Sequence, residues 1–143
     1  MKVRIPKHRI TEEKITVYNK PKRVYIPLIS GNDTNITILV SIGEYVYKGS
    51  IVGKRKGDFR IPICSSVSGT VVDFEDRTCF NGTKVRCVVI ENDFKEKIET
   101  SLNVQKNISK YTKEEFLEKL RENGIIGMGG AGFPTYIKYE AKK

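Results

Sequence analysis

Residues 40–52 read Val40-Ser-Ile-Gly-Glu-Tyr-Val-Tyr-Lys-Gly-Ser-Ile-Val52, and residues 62–71 read Pro62-Ile-Cys-Ser-Ser-Val-Ser-Gly-Thr-Val71. Both segments mix β-branched residues with glycine-containing turns. Apolar residues around them recur at every second position: Val24, Ile26 and Leu28; Ile36, Ile38, Val40 and Ile42; Val85, Cys87 and Val89. A period of two is typical of half-buried strands. Short strands with regular turns predict a mainly β fold, a small barrel or sandwich.

Two pieces of this region carry a resemblance. The run Gly43-Glu-Tyr-Val-Tyr-Lys-Gly49 and the later Ser68-Gly-Thr-Val71 resemble the barrel-sandwich hybrid of lipoyl and biotinyl carrier domains. Such carriers display a modified lysine at a hairpin tip, typically within Met-Lys-Met or Asp-Lys-Ala. The corresponding hairpin here contains Lys54 and Lys56 without that acceptor context. The resemblance therefore favours a non-carrying module, with a covalent carrier as the alternative.

Composition limits the classes of protein that fit. The chain has 143 residues, 38% of them hydrophobic and 30% charged. That is enough for one folded domain, or for a small domain and part of another. The net charge of +9 suits nucleic acid, an acidic protein or an anionic membrane surface. Because the basic residues are scattered rather than gathered in one run, we expect no nucleic-acid partner. Binding to phosphates would in any case weaken steeply with salt.

Membrane and metal signals are absent from the sequence. No stretch approaches the ~18 consecutive apolar residues of a membrane-spanning helix, and the N-terminus lacks the apolar region of a signal peptide. Cys64, Cys79 and Cys87 show no CxxC spacing, so they form neither a disulfide framework nor a cluster motif. We expect structural or incidental thiols, with Cys87 buried, no transmembrane segment and a cytoplasmic location.

Residues 112–124 carry the local signals of a helix. Thr112 is a candidate N-cap, and Glu115 three residues later completes a capping box. Gly124 stands where a left-handed C-cap belongs. The apolar stripe between them consists of Phe116, Leu117 and Leu120. The sequence predicts a helix over about 113–123.

The helix ends on a glycine-rich run, Gly124-Ile-Ile-Gly-Met-Gly-Gly-Ala-Gly-Phe-Pro-Thr135, with Lys138 soon after. Consecutive N–H groups of such a run can form an anion-binding nest. Since the run follows a helix rather than a strand, it is neither a Walker loop nor a Rossmann fingerprint. A second helix beginning after Pro134 would point its N-terminus at an anion, and Lys138 would add a charge. The alternative is a flexible hinge or tail.

The same run, extended as Pro134-Thr-Tyr-Ile-Lys138, resembles the flavin- and NADH-site loop of the Rnf-complex C subunit. Related proteins are the NADH-binding flavoprotein subunit of respiratory complex I, hydrogenase diaphorase subunits, and cobalamin-reductase-like and amino-acid-reductase-associated proteins. The strand Val24-Tyr-Ile-Pro-Leu28 and the barrel-sandwich module also resemble the N-terminal domain of the Rnf C subunit. The resemblance implies that the loop wraps the phosphate of FMN beside an NADH site. The cofactor-binding residues carried over are Gly127, Gly129, Gly130 and Gly132 through their backbone, Phe133 shaping the pocket, and Lys138 pairing with phosphate.

The resemblance also implies a function and partners. Proteins of this family pass electrons between NADH or flavin and iron–sulfur clusters, as subunits of a membrane-associated or soluble electron-transfer complex. The family's cluster motif, Cys-x-x-Cys-x-x-Cys-x-x-x-Cys-Pro, is absent here, and Met128 stands where complex I relatives carry arginine. We therefore expect an N-terminal fragment that is inactive alone and binds FMN and NADH weakly or not at all. Its 4Fe–4S clusters would lie in the missing C-terminal part, and partner subunits would hold it at the cytoplasmic face of the membrane.

The predicted organisation has four parts. Residues 1–22 form an N-terminal surface segment, 23–95 the barrel-sandwich hybrid module, 96–111 a connector, and 112–143 the capped helix and glycine-rich loop. The last part would start an incomplete α/β nucleotide-binding domain. The alternative function is a stand-alone barrel-sandwich binding or carrier module without redox activity. An added cofactor mass on Lys54 or Lys56 would favour the carrier.

Overall fold

The computed structural model describes residues 14–15, 17, 20–31, 33–57, 61–79, 82–100, 111–129 and 132–140. Most of the predicted N-terminal segment, residues 101–110 of the predicted connector, and Gly130 lie outside the described residues. The described elements are β1 (Arg23–Pro27), β2 (Ile36–Ile38), β3 (Tyr45–Val46), β4 (Ile51–Arg55), β5 (Pro62–Cys64), β6 (Gly69–Thr78), β7 (Lys84–Asn92), α1 (Lys113–Glu122) and α2 (Thr135–Glu140).

The strands form two antiparallel sheets. One has the order β1-β7-β6-β3 and the other the order β2-β4-β5. The core consists of buried side chains from both sheets and their connections: Ile26, Leu28, Val40, Val46, Val52, Val67, Val71, Val88 and Ile90. Burying a side chain of this kind stabilises the fold by about 1.5–3 kcal/mol. The prediction of a mainly β fold is confirmed.

Strand β7 is buried on both faces. Val88 and Ile90 belong to the core, while Val85, Cys87 and Val89 on the opposite face are also buried. Burial raises the pKa of the Cys87 thiol above its ordinary value, and this disfavours the reactive thiolate. The prediction that Cys87 is a buried thiol is confirmed.

The strand predicted over residues 36–42 is shorter than expected. Only residues 36–38 pair as β2, and Ile38 and Ile42 are 41% and 61% exposed. The chain leaves one sheet here and crosses to the other. The Leu39 N–H still donates to the Val52 carbonyl in the smaller sheet, whereas the Gly43 N–H donates to the Val71 carbonyl in the larger sheet. The prediction of a half-buried strand is therefore wrong for residues 39–42, since alternation has meaning only while a segment stays in one sheet.

Asp93, directly after β7, joins the ends of three strands. Its carboxylate accepts hydrogen bonds from the Ser68 hydroxyl (2.6 Å), the Tyr45 hydroxyl (2.6 Å) and the Lys95 N–H (3.0 Å). The hydrogen bond from Ser68, followed by that from Tyr45, lowers the pKa of Asp93 to about 2. Residues 93–99 then run beside 45–50, where the Lys48 N–H donates to the Lys97 carbonyl at 2.8 Å.

Asp93 should make the fold sensitive to acid. Its pKa is about 2 in the folded protein against an ordinary 3.8, so the unfolded chain takes up the proton first as pH falls. The stabilisation is therefore complete above pH 3.8 and is lost as pH falls from there towards about 2. We expect Asp93→Asn to be less stable than the wild type at neutral pH and to lose less stability across the acid range. Urea unfolding at a series of pH values measures both.

Asp33 is a second carboxylate that should make the fold sensitive to acid. Its pKa is lowered as well, first by the hydrogen bond from the Asn35 N–H and then by Arg55, so some acid sensitivity should persist in Asp93→Asn. If the two proteins lost stability in parallel between pH 4 and pH 2, the carboxylate of Asp93 would not have the role assigned to it.

Candidate functional site

Both ends of α1 have the caps that the sequence predicts. The Thr112 hydroxyl accepts a hydrogen bond from the Glu115 N–H at 3.2 Å, and the Glu115 carboxylate accepts one from the Thr112 N–H at 2.8 Å. At the other end Gly124 has φ +63°, and the Ile125 N–H donates to the Leu120 carbonyl at 3.0 Å. The predicted capping box and left-handed C-cap are confirmed.

Gly124 also brings the end of α1 against the barrel. A Cβ at this position would lie 3.0 Å from the carbonyl oxygen of Pro62 in β5. A larger residue would thus meet both an unfavourable backbone angle and a crowded neighbour. The glycine loop, residues 124–134, therefore begins in contact with the smaller sheet.

The glycine loop closes on itself. Ile126 and Pro134 form an isolated antiparallel bridge, and the Gly127 N–H donates to the Phe133 carbonyl at 2.9 Å. The chain enters and leaves the loop side by side, and α2 follows at once. The prediction of a second helix after Pro134 is confirmed, since α2 begins at Thr135.

Three of the predicted site residues lie together. The ammonium nitrogen of Lys138 is 3.3 Å from the point where a Cβ of Gly127 would stand, and 6.0 Å from the centre of the Phe133 ring. A side chain at position 127 would crowd this ammonium group. The glycine thus leaves room for a positive charge on the loop, next to a half-exposed aromatic ring.

The other predicted glycines are placed differently. The Gly132 N–H donates to the Gly129 carbonyl at 3.0 Å, so the N–H groups of Gly127 and Gly132 both hold the loop together. Gly129 has no atom within 4 Å of its Cβ position, and its neighbour Met128 is fully exposed. Gly130 lies outside the described residues. Contact between these four glycines and a phosphate stays a prediction.

The barrel supplies a part of the site that the sequence did not reveal. A Cβ at Gly132 would stand 3.3 Å from the Cα and 3.5 Å from the nitrogen of Gly31. Gly31 belongs to the 30–33 turn, which Ser30 and Asp33 close by reciprocal backbone hydrogen bonds of 2.9 and 3.1 Å. The sequence signal for it is a glycine and an aspartate between two strands, a pattern typical of a turn and of nothing more.

Metal ligands do not gather in the described part of the chain. No three side chains among its His, Cys, Asp and Glu residues are placed to hold a metal ion. Cys64 is exposed, Cys79 half-buried and Cys87 buried. Neither α1 nor α2 is long and apolar enough to cross a membrane.

The two lysines of the alternative carrier hypothesis are exposed. Lys54 lies within β4, opposite Thr37 on one side and Pro62 on the other. Lys56 follows β4, and its N–H donates to the Asn35 carbonyl at 3.0 Å. Lys54 is therefore held in a paired strand, whereas Lys56 lies directly beyond the end of β4. Modification of either lysine stays a hypothesis.

Comparison with known proteins decides the family. Residues 2–95 match the family model described as the RnfC barrel sandwich hybrid domain. The chain belongs to this family. The resemblance to Rnf C subunits is thus confirmed, and with it the barrel-sandwich hybrid formed by the two sheets.

Several curated relatives of this RnfC-family chain are similar over most of its length. The C subunit of the Na(+)-translocating ferredoxin:NAD(+) oxidoreductase complex of Acetobacterium woodii is 34% identical over 119 residues, 83% of this chain and 27% of the relative. The C subunit of the ion-translocating oxidoreductase complex of Vibrio cholerae is 32% identical over 137 residues, 94% of this chain and 18% of the relative. The C subunit of the proton-translocating ferredoxin:NAD(+) oxidoreductase complex of Clostridium ljungdahlii is 33% identical over 118 residues, 82% of this chain and 26% of the relative. The chain thus spans 27% or less of these relatives' length.

Proposed function

We propose that this chain is part of an Rnf-type C subunit, and that its glycine loop belongs to a site for FMN and NADH from which electrons pass to iron–sulfur clusters. The observation that carries the proposal is an RnfC barrel joined to a preformed glycine loop with a lysine ammonium group beside it. The names of the relatives describe them as subunits of ion-translocating complexes, two of them ferredoxin:NAD(+) oxidoreductases.

The residues of the loop suit one end of a flavin nucleotide. Lys138 offers a positive charge to a phosphate, and the half-exposed Phe133 ring offers an apolar surface to a planar group. Bound FMN would supply a ring that takes a hydride from reduced nicotinamide and passes its electrons on singly. The described residues do not fit an iron–sulfur cluster, so no step through a cluster is assigned to them.

In this proposal the partners are the other subunits of the complex, and the chain lies on the cytoplasmic face of the membrane through them. Several basic residues make contacts within the fold. Arg55 pairs with Asp33 at 2.7 Å, and Arg77 stacks 4.3 Å from the centre of the Tyr25 ring.

The chain alone should bind FMN and NADH weakly. Tight binding of a nucleotide requires a concave site that buries most of the ligand, whereas Gly129 and Met128 are open to solvent. We expect low micromolar protein to leave the fluorescence of FMN unchanged. Quenching at that protein concentration would contradict this expectation.

The proposed site itself is tested with millimolar FMN and ¹⁵N-labelled protein. The amide resonances of residues 127–133 should shift, and Lys138→Gln should weaken binding about tenfold by removing a charged partner of the phosphate. Lys95→Gln is the matched control, because it removes the same charge at an exposed position. Lys95 follows the last residue of β7, whereas the 30–33 turn lies near the first residues of β7. Equal weakening by both variants, or shifts outside the loop, would refute the site.

A further inference from the structure

We infer that the 30–33 turn of the barrel positions the glycine loop, so that the barrel sets the geometry of the ligand site. The contact is backbone against backbone, since the atoms nearest to a Cβ at Gly132 are the Cα and nitrogen of Gly31. Neither position carries a side chain that could adjust. Gly132 has φ +55° and Gly31 φ +62°, a backbone conformation that glycine adopts with little cost.

The 30–33 turn is tied to the barrel rather than free to follow the loop. The Asp33 carboxylate accepts hydrogen bonds from the Arg55 Nε at 2.7 Å and from the Asn35 N–H at 2.8 Å. Arg55 ends β4, the central strand of the smaller sheet. The ion pair is partly buried, and this reduces its screening by solvent.

The loop approaches the barrel closely at two separated points. A Cβ on Gly124 would stand 3.0 Å from the Pro62 carbonyl oxygen of β5, and a Cβ on Gly132 would stand 3.3 Å from the Gly31 Cα of the 30–33 turn. The hydrogen bond between Gly127 and Phe133 and the ammonium group of Lys138 lie close to the stretch between these points. A shift of the turn relative to β5 must therefore change the shape of the loop where the ligand would bind.

The first test loosens the turn without touching the loop. Asp33→Asn keeps an oxygen that can accept from the Asn35 N–H but removes the charge that pairs with Arg55. We expect amide hydrogen exchange at Gly127 and Gly132 to become about fivefold faster, as for loss of a partly buried ion pair. The amides of Val88 and Ile90 should keep their protection. Glu75→Gln, which breaks the 2.5 Å pair with Arg77 elsewhere on the barrel, should leave loop exchange within about twofold of wild type.

The second test changes a residue of the glycine loop instead of the turn. It remains informative even if Asp33→Asn loosens the whole barrel. Gly132→Asn tolerates the positive φ but places a Cβ against Gly31, so the amide resonances of residues 30–35 should shift. Gly43→Asn is the control, because its φ is +89° with nothing within 4 Å of the Cβ position; it should leave those resonances in place. Unchanged resonances in Gly132→Asn, or unchanged loop exchange in an otherwise folded Asp33→Asn, would overturn the inference.

The inference rests on the proposed function only for the identity of the ligand. If millimolar FMN failed to shift the loop resonances of the wild type, the proposed function would fail while the exchange results still decided whether the turn positions the loop. If FMN bound the wild type and Asp33→Asn equally well, with unchanged loop exchange, the positioning role alone would fail.

Discussion

Replacing Gly69 with alanine is expected to destabilise the protein by about 3 kcal/mol or more. A Cβ at this position would stand 2.0 Å from the carbonyl oxygen of Glu91, a backbone atom of the neighbouring strand β7. Gly69 is opposite Asn92 in β7 and opposite Val46 in β3. Strand β6 would have to move away from β7 at the point where three strands meet, and ladder hydrogen bonds would be lost with it.

Urea unfolding followed by far-ultraviolet circular dichroism measures this effect. Gly43→Ala is the matched control: its positive φ costs about 1–2 kcal/mol, but its Cβ position is open. Gly69 also has a positive φ, +157°, so the loss of stability beyond that of Gly43→Ala reports the collision with Glu91 together with any difference in backbone strain. If Gly69→Ala lost no more stability than Gly43→Ala, the close approach of β6 to β7 would be wrong.

Ile90→Ala should have the second large effect, a loss of about 2–5 kcal/mol. Ile90 is completely buried in the core and is opposite Val24 in β1 and Val71 in β6. Truncating it leaves a cavity in the core, which the paired strands around it cannot easily close. A domain of this size is stable by only about 5–15 kcal/mol, so the variant should unfold at a clearly lower urea concentration.

Ile38→Ala provides the comparison for Ile90. Ile38 is also a strand isoleucine, but it is 41% exposed, and its truncation should cost less than about 1 kcal/mol. The dependence of unfolding free energy on urea should be the same for both variants, because neither changes the surface exposed on unfolding by much. A similar cost at both positions would contradict the assignment of the core.

Local features were predictable because their causes lie within a few residues. The capping box of Thr112 and Glu115 and the C-cap at Gly124 depend on hydrogen bonds between residues close together in the chain, and all of them form. Alternation of apolar residues identified β1 and the buried Cys87, because each of these strands stays within one sheet. It failed at 39–42, where the chain passes between sheets, and for β7, which is buried on both faces rather than half-buried.

Long-range features left no comparable signal. The bonds from Ser68 and Tyr45 to Asp93 join residues that are far apart in the chain and individually ordinary in type. The docking of Gly132 on Gly31 is equally long-range, and each glycine alone predicted only a turn or a loop. Which of several polar or glycine residues meet is decided by the strand order, which composition and periodicity do not contain.

The class of fold, the capped helix, the second helix after Pro134 and the RnfC resemblance could all be read from the amino-acid sequence, because each depends on short patterns of residue type. The three-dimensional packing was needed to show that Lys138 lies close to Gly127 and that the loop approaches the 30–33 turn and Pro62. These close approaches arise when the two sheets and the two helices pack together. A glycine shows that the backbone can approach closely at its position, but which atoms approach it is known only from the packing.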